Sequence, residues 1–138
     1  MVFHNYGHGL AEFSLAYGSA YISSKMITLK KESTKTKDVA VVGSGIIALM
    51  TTLELLKRGH RVNLYCDKLP IRSVNGKKQV QSAAGLQFWY NGDYDNCDPL
   101  KHELISKLSY DFLRDSLKSN RYQSLSWANV YATGSKAE

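Results

Sequence analysis

A short glycine turn between a strand-like run and a helical run most constrains how this chain folds. Asp38–Val42 is a nearly continuous run of mostly β-branched apolar residues, which is typical of a strand buried on both faces. Gly43–Gly45 interrupts it, and Val62–Tyr65 has the pattern of a second strand. Apolar residues between the two recur at steps of three and four and predict an amphipathic helix: Ile46, Leu49, Met50, Leu53 and Leu56. Gly59 is placed to cap that helix, and we expect the two strands to pair in parallel.

The glycine turn also has the spacing of a dinucleotide-binding signature. Residues 43–48 read Gly-Ser-Gly-Ile-Ile-Ala, the form GxGxxA. The first glycine permits the tight turn, the second permits close approach of a diphosphate, and Ala48 permits helix and strand to pack together. Asp67 ends the second strand, about 20 residues further on, where an acidic residue binds ribose hydroxyls. A turn of this shape without a ligand is the alternative, and the spacing does not separate NAD from FAD.

Two further helices are predicted outside this unit. Leu10–Leu29 has helical spacing through Leu10, Phe13, Tyr17, Ala20, Tyr21, Ser24 and Ile27. The small residues Gly18–Ala20 indicate that this helix approaches a neighbour closely. Asp98–Pro99 supplies an N-cap and a first-turn proline for the other helix. The expected core face of that helix is Leu100, Leu104, Leu108 and Phe112, supported by Ile105 and Leu117.

The remaining segments are predicted as connectors, except for one strand. Residues 30–37 form a polar connector, and Leu69–Gln79 is loop-like with a turn signal at Asn75–Gly76. Ser126–Thr133 is a candidate final strand, and we expect residues 134–138 to be a disordered tail.

Length and composition limit the class of protein. With 138 residues, 43% of them hydrophobic, the chain has room for one domain. Its net charge of +6 suits an anionic partner, but the lysines form no aromatic-interleaved stripe, so nucleic-acid binding is not predicted. We expect no transmembrane segment and no secretory signal. Cys66 and Cys97 are interpreted as free thiols of a reducing intracellular compartment or organelle, with one disulfide as the alternative.

Three motifs together carry a resemblance to a known family. His4–Gly9 reads His-Asn-Tyr-Gly-His-Gly, residues 43–48 read GxGxxA, and Ser82–Leu86 reads Ser-Ala-Ala-Gly-Leu. This combination resembles the D-amino-acid oxidase family of FAD-dependent oxidoreductases. The resemblance implies an α/β fold: a partial Rossmann-like FAD-binding domain with a parallel sheet and flanking helices.

The order of the motifs departs from that family. Family members have the His-Asn-Tyr-Gly-His-Gly element near the C-terminus, whereas here it comes first. The resemblance therefore divides the chain into a displaced flavin loop and helix (1–29), a linker (30–37) and the N-terminal dinucleotide-binding part (38–133). Residues 1–133 are then a partial, permuted FAD-binding domain, and the substrate domain is absent. A helix that begins at the flavin ends near the start of the first strand, so a short linker suffices.

The resemblance also implies a cofactor, FAD, and a set of residues around it. Gly43, Ser44, Gly45 and Ile46 would surround the diphosphate, and Asp67 with Lys68 the adenosine ribose. The flavin end would be formed by Gly7, His8 and Gly9 together with Ala84, Gly85 and Leu86. No catalytic or metal-binding residue is assigned. Glu12 departs from the family, because its carboxylate would oppose the negative charge of a reduced flavin.

Two functions follow from these expectations. In the first, the chain is the FAD-binding portion of an oxidase of amino acids or amines, completed by another chain and not active alone. In the second, it is a non-catalytic descendant with a structural role in a larger assembly.

Overall fold

The strand, turn, helix, strand unit expected around the glycine turn is present in the computed structural model. The structure describes residues 1–8, 11–29, 36–67, 71–74, 77–80 and 99–119. The helices and strands are, in chain order, α1 (Glu12–Leu29), β1 (Asp38–Val42), α2 (Ile46–Lys57), β2 (Arg61–Tyr65), β3 (Ile71–Val74), β4 (Lys77–Val80) and α3 (Pro99–Lys118). A parallel strand pair flanked by helices confirms the α/β class and is compatible with a partial Rossmann-like domain.

The β1–β2 pair is parallel and in register along its whole length. Asp38 lies opposite Arg61 at one end, and Val42 lies opposite Tyr65 at the other. Between the strands, α2 ends at Lys57, and Gly59 follows as the predicted cap with a φ of 78°, a conformation that favours glycine. The backbone N–H of His60 then donates to the Leu55 carbonyl at 3.1 Å, which turns the chain into β2.

The expectation that β1 is buried on both faces is wrong for the residues described. Asp38, Ala40 and Val42 are exposed, whereas Val39 and Val41 are half-buried. The exposed fraction of Val42 is 83%. Alternation of this kind arises because successive side chains of a strand point to opposite faces, and only one face of β1 is covered by described elements.

Helix α1 packs between α2 and α3. Because it contacts helices on two sides, its buried residues extend beyond the single stripe expected from the sequence. They are Ser14, Leu15, Ala16, Gly18, Ser19, Ala20 and Ser24, while Phe13, Tyr17, Tyr21 and Ile27 are only half-buried. The close approach expected at Gly18 is confirmed: a Cβ atom there would overlap the backbone of Ile105 in α3. The Gly18 N–H also donates to the buried Ser109 hydroxyl at 2.8 Å.

The core face expected for α3 is wrong at its first two leucines. Leu100 and Leu104 are 76% and 50% exposed, whereas Ser109 and Ser116 are buried. The contact at Gly18 sets this rotation of the helix, because only a small side chain fits where the two backbones meet. One turn further on, the ring of Phe112 stacks on Tyr17 with ring centroids 4.0 Å apart.

The loop expected over Leu69–Gln79 is instead largely a hairpin. Strands β3 and β4 are antiparallel, with Ile71 opposite Val80 and Val74 opposite Lys77. Their polar composition, Ile-Arg-Ser-Val and Lys-Lys-Gln-Val, lacks the alternation of apolar and polar residues that predicts a strand. The Asn75–Gly76 turn signal falls between them, and such a dipeptide between two extended runs is a strong hairpin signal.

Several expectations fall on residues that the structure does not describe. They are the linker over 30–35, the final strand over Ser126–Thr133 and the tail over 134–138. The proposed division of the chain therefore stays a prediction. Among the described helices, none is both long and apolar enough to cross a bilayer.

Candidate dinucleotide-binding site

The glycine turn lies at the carboxyl end of the strand pair. The Gly43 N–H donates to the Tyr65 carbonyl at 2.7 Å and so continues the parallel pairing one residue beyond β1. Gly43 has φ of 125°, and a Cβ atom there would meet that of Ala48 at 3.4 Å. This position therefore needs glycine for its backbone conformation.

Gly45 has a different reason to be glycine. Its φ of −71° and ψ of 171° are open to any residue. A Cβ atom built on it would meet no atom of the described residues within 4 Å. As far as the described part of the chain extends, the space in front of Gly45 is open, which is what close approach of a diphosphate to the backbone requires.

Helix α2 begins at Ile46, directly behind this open space. Its N-cap residue, Gly45, provides no side-chain cap, and its first turn carries no acidic residue. The first turn of a helix leaves backbone N–H groups without intrahelical acceptors, and the helix dipole adds partial positive charge there. An uncapped helix start next to an open glycine is suited to an anion such as a diphosphate.

Asp67 lies two residues beyond the end of β2, the strand that pairs with β1 beside the glycine turn. It is exposed, as is the neighbouring free thiol of Cys66. The structure thus places Asp67 and Gly43–Ile46 at the same end of the strand pair. The sequence predicted that these residues bind a ribose and a diphosphate, and that role stays a prediction.

The N-terminal segment and the glycine turn border a common cavity. Its volume is about 1030 Å³, and Met1–Tyr6 lines one side. Its lining also includes β1 together with Gly45, Ile47, Ala48 and Thr51. Gly7 and His8 are not among the lining residues, although the sequence predicted that they approach the ligand.

One hydrogen bond attaches this segment to α2, and the sequence did not predict it. The Asn5 side-chain amide donates to the Thr51 hydroxyl at 3.4 Å, and that hydroxyl donates to the Ile47 carbonyl at 2.8 Å. Asn5 belongs to the His-Asn-Tyr-Gly-His-Gly motif, but Thr51 lies 46 residues away and had no pattern to mark it.

Gly7 and His8 lie a few residues before the start of α1. Gly7 has φ of 82°, with open space where a Cβ atom would be. The His8 carbonyl accepts a hydrogen bond from the Ala11 N–H at 3.0 Å. Burial lowers the pKa of His8, and the nearby charge of Glu12 partly opposes that effect. The ring of His4 packs edge-on against Tyr6, with ring centroids 5.6 Å apart.

Five of the predicted site residues lie outside the described part of the chain: Gly9, Lys68, Ala84, Gly85 and Leu86. Within the described part, no cluster of histidine, cysteine or acidic residues is arranged to hold a metal ion.

The parallel strand pair, glycine turn and uncapped helix define an α/β protein with a partial Rossmann-like unit. Part of the chain is similar to a curated protein, the tRNA 5-methylaminomethyl-2-thiouridine biosynthesis bifunctional protein MnmC of Shewanella amazonensis. The two are 41% identical over 46 residues, which are 33% of this chain and 7% of MnmC. No protein-family model and no solved structure matches the chain.

Proposed function

We propose that this chain is the FAD-binding portion of a D-amino-acid-oxidase-like flavoenzyme and works with a complementary chain. The open glycine turn at Gly45, in front of the uncapped start of α2, is the observation that carries the proposal. The local similarity to a small part of a large bifunctional protein is consistent with an oxidoreductase-like portion of this kind.

The residues present fit the diphosphate and ribose end of FAD. Gly43, Ser44, Gly45 and Ile46 would hold the diphosphate through backbone N–H groups, and Asp67 with Lys68 would bind the ribose. Gly7, His8 and Gly9, with Ala84, Gly85 and Leu86, remain the proposed flavin-facing residues. When bound, FAD would supply the acceptor for a hydride from the Cα–H of an amino acid or amine.

The permuted order of the family motifs is part of the proposal. Its support is the join between α1 and β1. Lys37, one residue before β1, donates through its ammonium group to the carbonyls of Ile27 and Thr28, at 2.5 and 3.0 Å. The end of α1 therefore lies beside the start of β1, as a displaced C-terminal helix would require.

A complementary chain is proposed because the described sheet is small. Among the described strands, β1 and β2 pair only with each other, so each has an outer edge. An unpaired strand edge is a surface on which another strand is able to pair. No substrate-binding residue is assigned in this chain, so catalysis would depend on residues from the partner.

The second candidate function is a non-catalytic, structural subunit of a larger assembly. Glu12 favours it. Glu12 is the first residue of α1, and its negative charge acts on His8. His8 is a proposed flavin-facing residue, and the flavin would gain negative charge on reduction. A carboxylate there would weaken the binding of reduced FAD.

The visible flavin absorbance of gently purified protein, alone and with copurifying chains, separates these functions. A yellow complex that releases peroxide when amino acids are added supports the oxidase. Gly45→Trp should remove the colour and leave the fold intact, because the added side chain occupies open space. A stable colourless complex that Gly45→Trp does not alter would contradict the oxidase and support the structural subunit.

A further inference from the structure

A buried histidine joins three segments at the amino end of the strand pair. His60 lies between α2 and β2, and only 7% of it is exposed. Its Nε2 atom is 2.9 Å from the Thr28 hydroxyl in the last turn of α1. Its Nδ1 atom lies 3.3 Å from the backbone nitrogen of Lys37, the residue just before β1. One imidazole therefore connects α1, β1 and the turn into β2.

The surrounding donors determine the protonation state of this ring. Lys37 N–H is a donor, so Nδ1 must be the unprotonated acceptor. The Thr28 hydroxyl donates its own hydrogen to the Ser24 carbonyl at 2.8 Å, so it accepts from Nε2. The arrangement is complete only for the neutral ring with its hydrogen on Nε2.

Among the residues that the structure describes, a second proton on His60 has no acceptor. It would point from Nδ1 toward the Lys37 N–H, so two donors would face each other. The charged groups that act on the ring are also unfavourable to its positive charge: the ammonium of Lys37 and the guanidinium of Arg58 at the end of α2. Arg61 on β2 is paired with Asp38. Burial, followed by the charges of Lys37 and Arg58, lowers the pKa of His60 below its ordinary 6.5.

We propose that His60 is a pH-sensitive latch, whose protonation breaks its hydrogen bond to the Lys37 N–H and weakens the contact between the last turn of α1 and the amino end of the strand pair. The Nε2–H donates to Thr28 in both protonation states, and the Lys37 carbonyl still accepts from the Arg61 N–H at 2.9 Å, so the hydrogen bond that is lost is the one at Nδ1. Because the Lys37 side chain holds the carbonyls of Ile27 and Thr28, a change at Lys37 reaches the last turn of α1 as well as the start of β1. This inference is independent of whether the chain binds FAD.

Nuclear magnetic resonance of the full chain tests the latch directly. At about pH 8, the imidazole nitrogens of His60 should show the neutral form with hydrogen on Nε2. On acidification, His60 should titrate with a midpoint below the ordinary 6.5, and the amides of Lys37 and Thr28 should shift with the same midpoint. A midpoint at or above that value, or amides that do not follow it, would overturn the proposal.

Two variants supply a matched comparison by thermal unfolding. Gln in His60→Gln retains an amide donor for Thr28 but does not titrate. Between about pH 8 and about pH 5, the Tm of the wild type should fall by about 3 °C more than that of His60→Gln. His4→Gln, which changes an exposed histidine, should keep the wild-type difference. Equal pH dependence of the Tm in the wild type and in His60→Gln would contradict the latch. If His60→Gln does not fold, the nuclear magnetic resonance titration of His60 in the wild type decides the question.

Discussion

The two ends of the β1–β2 strand pair use their polar groups in opposite ways. At the carboxyl end, Gly45 faces open space and α2 begins without a side-chain cap. At the amino end, His60, Thr28 and Lys37 bond to one another and to the last carbonyls of α1. Unpaired backbone donors are costly to bury but useful at a binding site. This difference supports the proposal that a ligand binds at the carboxyl end, whereas the amino end serves as structural support.

The largest effect is expected from Thr28→Val at the amino end. Valine keeps the shape of threonine but removes the acceptor of the His60 Nε2–H, which stays buried. An unsatisfied buried donor of this kind should lower the free energy of unfolding by about 2 kcal/mol. Urea unfolding near neutral pH measures it, and Thr28→Ser, which keeps the hydroxyl, is the control. Equal losses in both variants would mean that the hydroxyl is not what supports this end.

A smaller effect is expected from alanine in place of the two turn glycines. Gly43→Ala should lower the free energy of unfolding by about 1–2 kcal/mol, because φ of 125° is strained for any residue with a Cβ atom. Gly45→Ala should change it by less than about 0.5 kcal/mol, because its φ and ψ are ordinary and its surroundings open. The same urea titration compares the two. A loss at Gly45 as large as that at Gly43 would contradict the open site.

Acidification should destabilise the protein through two histidines. The folded-state pKa values of His8 and His60 both lie below the ordinary 6.5. Below that value the unfolded chain binds more protons than the folded one, so stability is complete above it and declines as pH falls toward the folded-state values. The urea midpoint of the wild type should decrease over this range. His60→Gln and His8→Gln should each remove part of the decrease, and stability that rises on acidification would contradict both assignments.

The smallest effect is expected at the ion pair that closes the amino end. Arg61 Nε lies 2.6 Å from the Asp38 carboxylate, but both side chains are mostly exposed. Solvent screens such a pair, so Arg61→Gln should leave the Tm unchanged within experimental error. A clear decrease in Tm would show that this exposed ion pair also stabilises the amino end of the strand pair.

Local patterns were enough to predict the carboxyl end, whereas the amino end depends on distant residues. The strand run, the glycine turn, the helical spacing and the Gly59 cap are neighbours in sequence, and they predicted β1, α2 and β2 with parallel pairing. His60 meets Thr28 and Lys37 across 32 and 23 residues, and no periodic pattern marks such a contact. The predicted core face of α3 was wrong for the same reason, because a contact between distant residues sets which face is buried. Ser109 is buried because Gly18, 91 residues away, lacks a side chain and lets α1 and α3 approach closely, so that its N–H donates to the Ser109 hydroxyl.

Binding of adenosine diphosphate, followed by the backbone amide resonances of the full chain, tests the central claim most directly. We expect saturable shifts at Gly43, Gly45 and Ile46, with Lys37 and His60 unchanged. Gly45→Trp should abolish these shifts while it preserves the rest of the spectrum. Absence of saturable shifts at the glycine turn, or shifts confined to the amino end, would contradict a dinucleotide site at the carboxyl end of the strand pair.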